Sequence, residues 1–342
     1  MKILLVAKPW KGGLAKYVSL ALEEMFPGSV RWLPTYPDTT AEQIKYRRNR
    51  QAWRADRVSV ISGSDPDAVI FINHMDAFRH LRHRSRHILW VTDAPKLDPA
   101  DAAPYGRIFI SDGGYEKEIL ASVGPDVYGG ELSFAHHPPI HRPMPSPPRL
   151  KSVCFVGNTD PARDRLIEHL FRAGLRPTVV GNYFLRHPLW WRHPLFFRPG
   201  VPNEAMGRIY ARHRVSLNIH ARVIRGGTNM RTFECAGFGI SQVVDANRGV
   251  ETAFDPETEI LTYDRPEEMV AQIRRLLEDP ERSARIAANA RRRALSQHTY
   301  YHRMLQLLSG VIPDKQLRAA AARVGVVPQG AGPGASGTSS EI

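Results

Sequence analysis

Short runs of apolar residues alternate with amphipathic stretches along the first half of the chain. Residues Leu14–Met25 and Glu116–Val123 place their apolar side chains at helical spacing, which predicts helices that pack by one face. The apolar runs lack polar alternation, as in parallel strands buried on both faces; they are Ile3–Ala7, Ala68–Ile72, His87–Val91 and Arg107–Ile110. This rhythm of strand and helix predicts a doubly wound α/β domain.

The same rhythm restarts in the second half of the chain. Strands are predicted at Ser152–Val156, Thr178–Val180, Val215–Ile219 and Ser241–Val244. Helices are predicted at Arg163–Ala173, Met230–Phe238, Glu267–Leu277 and Pro280–Leu295. The pattern as a whole predicts two Rossmann-like, doubly wound domains that face each other across a cleft. Ligands of such sheets bind beyond the carboxyl ends of the strands.

A proline-rich segment separates the two halves. Residues 138–149, PPIHRPMPSPPR, hold six prolines. Because proline lacks an N–H and has a fixed φ, this segment predicts an extended linker rather than a strand or helix. The end of the chain from Val327 is rich in Gly, Ser, Ala and Pro, which predicts a disordered tail.

Composition narrows the class of protein. The chain has 342 residues, of which 42% are hydrophobic and 24% charged, as in folded globular proteins. It has no apolar run long enough to span a membrane, and MKILLVAKPW is too short an apolar stretch for a signal peptide. Cys154 and Cys235 give neither a disulfide framework nor metal-site spacing. We therefore expect a cytoplasmic protein without a bound metal.

The charge balance favours anionic partners. The formal net charge is +13, which suits nucleoside diphosphates, nucleic acid or an anionic membrane surface. The alternative is that most arginines are merely solvated surface. No zinc finger, RNP motif or basic-region heptad is present in the sequence, so no nucleic-acid partner is expected.

Two glycine-containing turns that follow predicted strands are candidate anion sites. Gly12 and Gly13 lie between the first strand and the first helix, and Gly157 and Asn158 open the second half, with Arg163 just beyond. Backbone N–H groups at such turns approach a diphosphate, and a nearby arginine neutralises it. The alternative for each is a tight turn without a ligand.

A third glycine-rich turn carries the strongest pattern, because a predicted helix begins there. The loop and first helical turns supply Arg225, Thr228, Asn229 and Arg231 as candidate diphosphate ligands. Glu234, one turn into the helix, could accept a hydrogen bond from each of two ribose hydroxyls. The alternative is that Glu234 only complements the helix dipole.

Two polar residues after N-terminal strands are candidate catalytic groups. His74 follows AVIFIN and Asp93 follows HILWV, so both should face the cleft. A histidine suits a general base near neutral pH. Either residue could instead be an ordinary loop side chain or one that only positions substrates.

The segment 187–199, HPLWWRHPLFFRP, mixes aromatic residues with arginine and histidine. Such a mixture is typical of a peripheral membrane contact or of a cap over an acceptor pocket. An irregular, partly buried loop is the third interpretation.

Three motifs between residues 206 and 303 carry a resemblance to a known family: MGRIYARHRVSLNIH, RTFECAGFG and HTYYHR. They resemble the CgeB-like, spore-maturation-type proteins among the group-1 glycosyltransferases. The similarity extends upstream to GGLAKYV at 12–18, WVTDAP at 90–95, FISD at 109–112, ELSFA at 131–135 and IHRP at 140–143.

The resemblance implies a GT-B fold and transfer of a sugar from a nucleoside diphosphate sugar, as co-substrate, to an unidentified acceptor. The acceptor is a small molecule, glycan or protein, or is lipid-linked, and no metal is essential. A non-catalytic nucleotide-sugar-binding protein is the other alternative, because Gly226 stands where many retaining relatives carry a first glutamate; Glu234 matches the ribose-binding second one. The implied organisation is an acceptor-side domain at 1–137, a linker at 138–150, a nucleotide-sugar domain at 151–297, a helical region crossing back to the first domain at 298–326, and a tail at 327–342.

Overall fold

The computed structural model describes residues 1–10, 13–93, 97–145, 148–158, 160–182, 184–202 and 204–327. The described part of the chain contains two parallel sheets of six strands each. The first sheet has the order β2-β1-β3-β4-β5-β6. Its strands are β1 Ile3–Ala7, β2 Val30–Pro34, β3 Ala68–Ile72, β4 Arg84–Val91, β5 Tyr105–Ile110 and β6 Tyr128–Glu131.

The second sheet has the order β12-β11-β10-β7-β8-β9, and all its pairings are parallel. Its strands are β7 Leu150–Val156, β8 Thr178–Gly181, β9 Phe197–Pro199, β10 His213–Asn218, β11 Ser241–Asp245 and β12 Leu261–Tyr263. The central strand β7 is buried from Val153 to Val156. Parallel strands need helical crossovers on their faces, so helices cover both sheets.

The helices of the N-terminal half are α1 Leu14–Met25, α2 Thr40–Arg48, α3 Arg50–Ser62, α4 Pro99–Ala102 and α5 Glu116–Val123. Those that follow are α6 Pro161–Arg172, α7 Glu204–Arg212, α8 Met230–Phe238, α9 Arg248–Ala253, α10 Pro266–Glu278, α11 Pro280–Gln297, α12 Tyr300–Leu308 and α13 Asp314–Arg323. Helix α11 starts at Pro280 as predicted, whereas α6 and α10 start two residues and one residue before the predicted Arg163 and Glu267. Pro161, Pro266 and Pro280 each occupy a first-turn position, where a missing N–H costs nothing.

The chain returns to the first domain at its C-terminal end. Tyr300, Met304 and Leu308 of α12, with Leu317 of α13, share one hydrophobic core with α1 and the first sheet. The Tyr301 hydroxyl donates to the Glu24 carboxylate of α1. The predicted crossing of a C-terminal helix back to the N-terminal domain is therefore confirmed.

The proline-rich connection differs from the extended linker expected at 138–150. Its first part is a turn, because the N–H groups of Ile140 and His141 both donate to the His137 carbonyl. His137 and His141 are buried, so this stretch packs between the domains instead of running through solvent. At the other end, Leu150 already belongs to β7.

Three smaller expectations have separate outcomes. Cys154 and Cys235 are free and buried. Among the helices of the described residues, none is both long and apolar enough to cross a membrane. The predicted tail, apart from Val327, lies outside the described residues.

Candidate functional site

The carboxyl ends of the two sheets meet where α1 and α8 begin. Met230, the first residue of α8, packs against the hydrophobic core of the N-terminal domain. The ring of Tyr17, in the first turns of α1, lies 4.7 Å from the His141 ring of the connection. Two helix N-termini, whose free N–H groups attract anions, thus lie on opposite sides of the cleft.

Arg231 and Glu234 form the charged centre of this region. The Arg231 guanidinium pairs with Glu234 Oε2 one turn further along α8, and its Nε donates to the Val156 carbonyl at 3.0 Å. Glu234 is fully buried, whereas the Arg231 side chain is 30% exposed. Burial alone would lower the pKa of Arg231, but the Glu234 carboxylate outweighs it and raises that pKa.

The other oxygen of Glu234 faces the connection between the domains. His141 Nε2 lies 3.6 Å from Glu234 Oε1, and neither atom has a hydrogen-bond partner among the described residues. Burial lowers the pKa of His141 well below its usual value, so the ring is neutral at pH 7. Burial, and next the Glu234 charge, raise the pKa of Tyr17. The carboxylate predicted to hold a ribose is therefore enclosed by protein groups in this conformation.

Asn229, predicted as a donor ligand, caps α8 instead. Its Oδ1 accepts from the Thr232 N–H at 3.1 Å, and its Nδ2 donates to Asn218 Oδ1 at 2.8 Å. Both ends of the amide are occupied by the protein, as at many helix N-caps. The side chain therefore orders the loop at the start of α8. Thr228, by contrast, has a buried hydroxyl with no partner among the described residues.

Arg163, predicted to neutralise a diphosphate, holds two strand ends together. Its Nε and Nη2 donate to the Ile219 carbonyl at 3.2 and 2.9 Å, and its Nη1 donates to the Asn158 carbonyl at 2.8 Å. Burial lowers its pKa. The guanidinium thereby fixes the loop of Gly157 and Asn158, and these bonds use three of its five N–H donors.

Arg225, also predicted to bind a diphosphate, crosses to the N-terminal domain. Its guanidinium pairs with Glu118 and lies 4.2 Å from the centroid of the Tyr115 ring. Its backbone N–H donates to Asp112 Oδ2 at 2.8 Å, and the next N–H, of Gly226, donates to Asp112 Oδ1 at 3.0 Å. The residue closes the cleft at this end.

The glycines of that loop serve the same closure. A Cβ on Gly227 would lie 2.7 Å from the Asp112 Cα, closer than real Cβ atoms approach backbone. Arg248 pairs with Glu131 at 2.7 Å and adds a second ion pair across the cleft. Sequence reasoning missed Asp112, Glu118 and Glu131 as partners, although the FISD motif at 109–112 pointed to the first of them.

The first glycine turn is described only in part. Gly13 is the N-cap of α1 and has no side chain to satisfy the helix N–H groups. Gly12 lies outside the described residues. The turn is closed by the Gly13 N–H, which donates to the Trp10 carbonyl at 3.0 Å.

His74 has no free ring nitrogen, which corrects its expected role as a base. Its Nδ1 lies 2.9 Å from the Tyr105 hydroxyl and its Nε2 lies 3.0 Å from Asp101 Oδ1. Burial lowers the pKa of His74, and Asp101 partly restores it. Arg79 also pairs with Asp101. This network braces the end of β3 and leaves neither ring nitrogen of His74 free to accept a substrate proton.

Asp93 is the more accessible of the two candidate catalytic residues. It is exposed at the end of β4, and its Oδ2 accepts from Asn73 Nδ2 at 3.1 Å. Asn73 adopts φ 61° and also accepts from the Thr92 N–H at 2.7 Å. One carboxylate oxygen is thus oriented by the loop, and the other has no hydrogen-bond partner among the described residues. In the described part of the chain no three His, Cys, Asp or Glu side chains are grouped to hold a metal ion.

The aromatic segment 187–199 is half anchored and half exposed. Trp190 and Phe196 pack on the core of the C-terminal domain, and the His193 ring stacks on Phe171 at 4.5 Å. On the outer side, Trp191 is 67% and Leu195 80% exposed. The segment is therefore neither fully buried nor a free loop.

One protein family matches the sequence of the C-terminal part of the chain. Residues 163–309 match the family described as glycosyl transferase-like. No curated protein sequence matches the chain at a significant level.

Solved structures resemble the chain over nearly its whole length. The Anabaena protein HepE in complex with UDP-glucose has a TM-score of 0.67 at 12% identity and covers 95% of this chain and 99% of its own. Sucrose-phosphate synthase from Thermosynechococcus elongatus has a TM-score of 0.66 at 12% identity over 90% and 97% of the two chains. The T4 phage glucosyltransferase BGT with its UDP-glucose substrate has a TM-score of 0.57 at 11% identity over 95% and 99%.

At such low identity these structures are evidence for the fold alone. They confirm the two-domain GT-B architecture that the sequence predicts. The matched family speaks for the chemistry of the C-terminal domain. Together they confirm the predicted class: the chain is a glycosyltransferase with a GT-B fold.

Proposed function

We propose that this enzyme binds a nucleoside diphosphate sugar between the N-termini of α1 and α8 and transfers the sugar to an acceptor held by the N-terminal domain. The observation that carries the proposal is the Arg231–Glu234 pair at the start of α8. It lies beneath the end of β7 and opposite Tyr17 of α1. UDP is the first nucleotide to test, because HepE was solved with UDP-glucose. Within the group-1 enzymes, the CgeB-like subtype remains our assignment from the motifs.

Donor binding would exchange the partners of Arg231. The guanidinium is partly exposed while the carboxylate is buried, so a diphosphate at the helix N-terminus can draw Arg231 away from Glu234. The carboxylate then becomes free to accept from ribose hydroxyls. A carboxylate without a countercharge is costly in a buried site, and two hydroxyl donors would offset that cost. Both predicted roles, phosphate ligand and ribose ligand, follow from this single movement.

The leaving diphosphate gains negative charge during glycosyl transfer. Arg231 and the backbone N–H groups of Thr228 and Asn229 lie at the start of α8 before the reaction, and one such donor contributes about 2.7–4 kcal/mol to transition-state stabilisation. The loop of Gly157 and Asn158, fixed by Arg163, closes the seat from the side of β7. We propose that these groups neutralise the diphosphate without a metal, so that EDTA leaves turnover unchanged.

Asp93 is our proposed base for the acceptor hydroxyl if transfer inverts the anomeric centre. The interaction with Asn73 holds the Asp93 carboxylate at the cleft edge. A general base must lie within hydrogen-bond distance of the acceptor hydroxyl, and this distance is reached only when the acceptor is bound. His74, locked by Tyr105 and Asp101, would position the loop that carries Asn73. An Asp93→Asn variant is therefore expected to bind donor normally and to lose transfer.

The test is a titration of the purified protein with UDP, GDP, ADP and dTDP, each with and without sugar. One nucleotide in about 100-fold excess over its Kd should raise the free energy of unfolding by about 2.7 kcal/mol. Arg231→Lys keeps the charge but loses the two-pronged geometry, and it should weaken binding of that nucleotide by about ten-fold. The matched control is the exposed Arg222→Lys. No stabilisation by any nucleotide, or equal affinity in both variants, would contradict the proposed donor site.

A second candidate function is favoured by the outer face of residues 185–198. Leu185, Trp191 and Leu195 are all more than half exposed, and Arg192 lies 4.6 Å from the Trp191 ring. Exposed apolar residues flanked by arginines suit an anionic membrane surface. In this version the same transfer takes place on a lipid-linked acceptor.

Flotation with vesicles separates the two candidates. Vesicles containing phosphatidylglycerol should carry the protein upward and neutral phosphatidylcholine vesicles should not. Trp191→Glu combined with Leu195→Glu should abolish flotation, whereas Leu150→Glu, an equally exposed apolar position, should not. Flotation that survives the double substitution would exclude this face as the membrane contact.

A further inference from the structure

Two large aromatic residues lie exposed side by side at the carboxyl edge of the first sheet. Trp10 follows β1 and is 62% exposed; Tyr36 follows β2 and is 39% exposed. β1 and β2 are neighbours, and the Thr35 N–H donates to the Ala7 carbonyl at 3.0 Å. The Lys8 ammonium lies 5.5 Å from the Trp10 ring centroid and 4.9 Å from that of Tyr36. The three side chains form one surface, the Trp10–Tyr36 platform.

The platform is supported from behind. Tyr36 lies 5.8 Å from the Tyr46 ring, which in turn meets Trp53 edge-on at 6.2 Å. Trp53 is buried, and its indole N–H donates to the Thr35 carbonyl at 3.2 Å. A row of tilted and edge-on ring contacts of this kind restricts side-chain motion before any ligand arrives. Preorganised aromatic groups bind at lower entropic cost, so the exposure of Tyr36 is not that of a free surface side chain.

The platform lies next to the proposed donor seat. The Trp10 carbonyl accepts from the Gly13 N–H, and Gly13 begins the helix whose Tyr17 is close enough to Glu234 and Arg231 for both charges to shift its pKa. A sugar ring resting on Trp10 would thus lie at the mouth of the cleft. None of the donor contacts proposed above uses Trp10, Tyr36 or Lys8.

The helices behind the platform are strongly basic. Residues 40–57 contain six arginine and lysine residues against two acidic ones, and α2 buries none of its residues. The Arg50 guanidinium lies 5.4 Å from the Tyr46 ring and that of Arg57 4.1 Å from Trp53. A cavity of about 400 Å³ opens beside them, and Glu42 and Asp56 line it together with Lys45 and Arg57. Arg57 pairs with Asp56 there, so the excess of positive charge comes from the other basic residues of α2 and α3. Such a surface attracts negative charge toward the platform.

We propose that the Trp10–Tyr36 platform is the acceptor subsite and that the acceptor is an anionic carbohydrate, bearing a carboxylate or a phosphate. This inference rests on the proposed glycosyl transfer and names the acceptor class for it. The apolar face of a sugar ring packs on the two aromatic rings, as ring faces do in carbohydrate and base recognition. Lys8 pairs with the acidic group of this sugar. The arginines of α2 and α3 pair with further acidic groups when the acceptor is a longer chain.

The experiment measures binding of defined probes to the full chain by calorimetry, with UDP present and absent. Trigalacturonate offers carboxylates, glucose 1-phosphate offers a phosphate, and vesicles containing phosphatidylinositol offer a lipid-borne anionic ring. Cellotriose and maltotriose are the neutral counterparts. At least one soluble anionic probe should bind more tightly than the neutral sugars, and binding confined to the vesicles would place the acceptor on a lipid.

Matched variants assign the binding to the platform. Trp10→Ala and Tyr36→Ala should each lower the affinity for the anionic probe by about ten-fold, because truncation of an aromatic anchor costs that order of affinity. Trp10→Phe and Tyr36→Phe should retain most of it. Lys8→Gln should erase the preference for anionic over neutral sugars. Lys315→Gln is the control for all probes, and Trp191→Ala, a similarly exposed tryptophan on the other domain, is the control for the soluble probes only.

UDP affinity separates failure of this inference from failure of the proposed function. All platform variants should bind UDP as the wild type does. A wild-type protein that binds UDP but none of the sugars or vesicles would overturn the acceptor platform alone. Loss of UDP affinity in Trp10→Ala would overturn it as well, since the ring would then serve the donor. A wild type that binds no nucleotide would contradict the donor site itself.

Discussion

Arg231 lies with its guanidinium between a strand carbonyl and a carboxylate of its own helix. Its position illustrates what the sequence shows of single residues and what it does not. The glycine-rich loop and the spacing of Arg231 and Glu234 placed both near the start of α8. Their partners His141 and Tyr17 are distant in sequence, so no local pattern announces them. A residue's neighbour in space decides whether it binds phosphate, caps a helix or closes a cleft.

Removing Arg231 should expose how strongly the buried carboxylate depends on it. Arg231→Met leaves Glu234 without a countercharge in a fully buried position, which costs about 3–5 kcal/mol in the free energy of unfolding. The double variant Arg231→Met, Glu234→Gln removes both charges and should regain most of that loss. Urea denaturation of the two variants measures the difference. Equal stability of single and double variants would mean that Glu234 is not charged in the folded protein.

At the scale of elements, predictability follows hydrophobic periodicity. Helices α1 and α8 were predicted with the bounds that the structure has. Helix α1 buries one apolar face, whereas α8 is buried on all sides from Thr232 to Phe238, and its bounds followed from the flanking glycine-rich loop and Gly239. Helix α2 was not predicted, since none of its residues is buried and its apolar spacing carries no signal. Strand β2 was missed for a related reason, because only one of its five residues is buried.

The loops of the site were located but their function was misjudged. Arg225, in the glycine-rich loop before α8, was predicted to bind the diphosphate. In the structure Asp112 accepts the N–H groups of Arg225 and Gly226, which lie 113 and 114 positions further along the chain, and a bare backbone at Gly227 allows the close approach. Glycine is required in both situations, so its presence alone does not distinguish a ligand from a second domain.

Alanine substitutions at Gly226 and Gly227 should show which of the two glycines the contact between the domains requires. Gly227→Ala puts a Cβ 2.7 Å from the Asp112 Cα, whereas Gly226→Ala meets nothing closer than 3.5 Å. Because backbone cannot give way cheaply, Gly227→Ala should cost about 1–3 kcal/mol and loosen the domain contact, while Gly226→Ala should be tolerated. Thermal unfolding and small-angle scattering of both variants test this. An unchanged radius of gyration and stability for Gly227→Ala would show that the loop rearranges freely.

At the scale of the whole molecule, the two domains are joined through a cluster of buried histidines. The His136 N–H donates to the His298 carbonyl, and the Tyr300 N–H donates to the His136 carbonyl, each at 3.0 Å. Burial lowers the pKa of His136 and His298 to about 3, and those of His137 and His302 to about 4. These rings are neutral in the folded protein at any pH above those values.

This cluster predicts a loss of stability in mild acid. An unfolded histidine titrates near pH 6.5, so below that pH unfolding takes up protons and the free energy of unfolding falls as pH falls. Each ring contributes up to about 1.4 kcal/mol per pH unit between its folded pKa and about 6.5. Asp164, whose pKa burial raises to about 6, opposes the trend but is outnumbered. Above about pH 7 the four histidines should contribute no slope.

His302 offers the sharpest test of this pH dependence. Its ring closes a capping box with Thr299 at the start of α12, and glutamine performs the same capping without titrating. His302→Gln should therefore keep the helix while reducing the slope of stability against pH by about one proton between pH 5 and 6.5. The exposed His80→Gln should leave the slope unchanged. Urea denaturation across that pH range measures both, and an identical slope in His302→Gln and wild type would mean that the His302 ring is already charged in the closed protein.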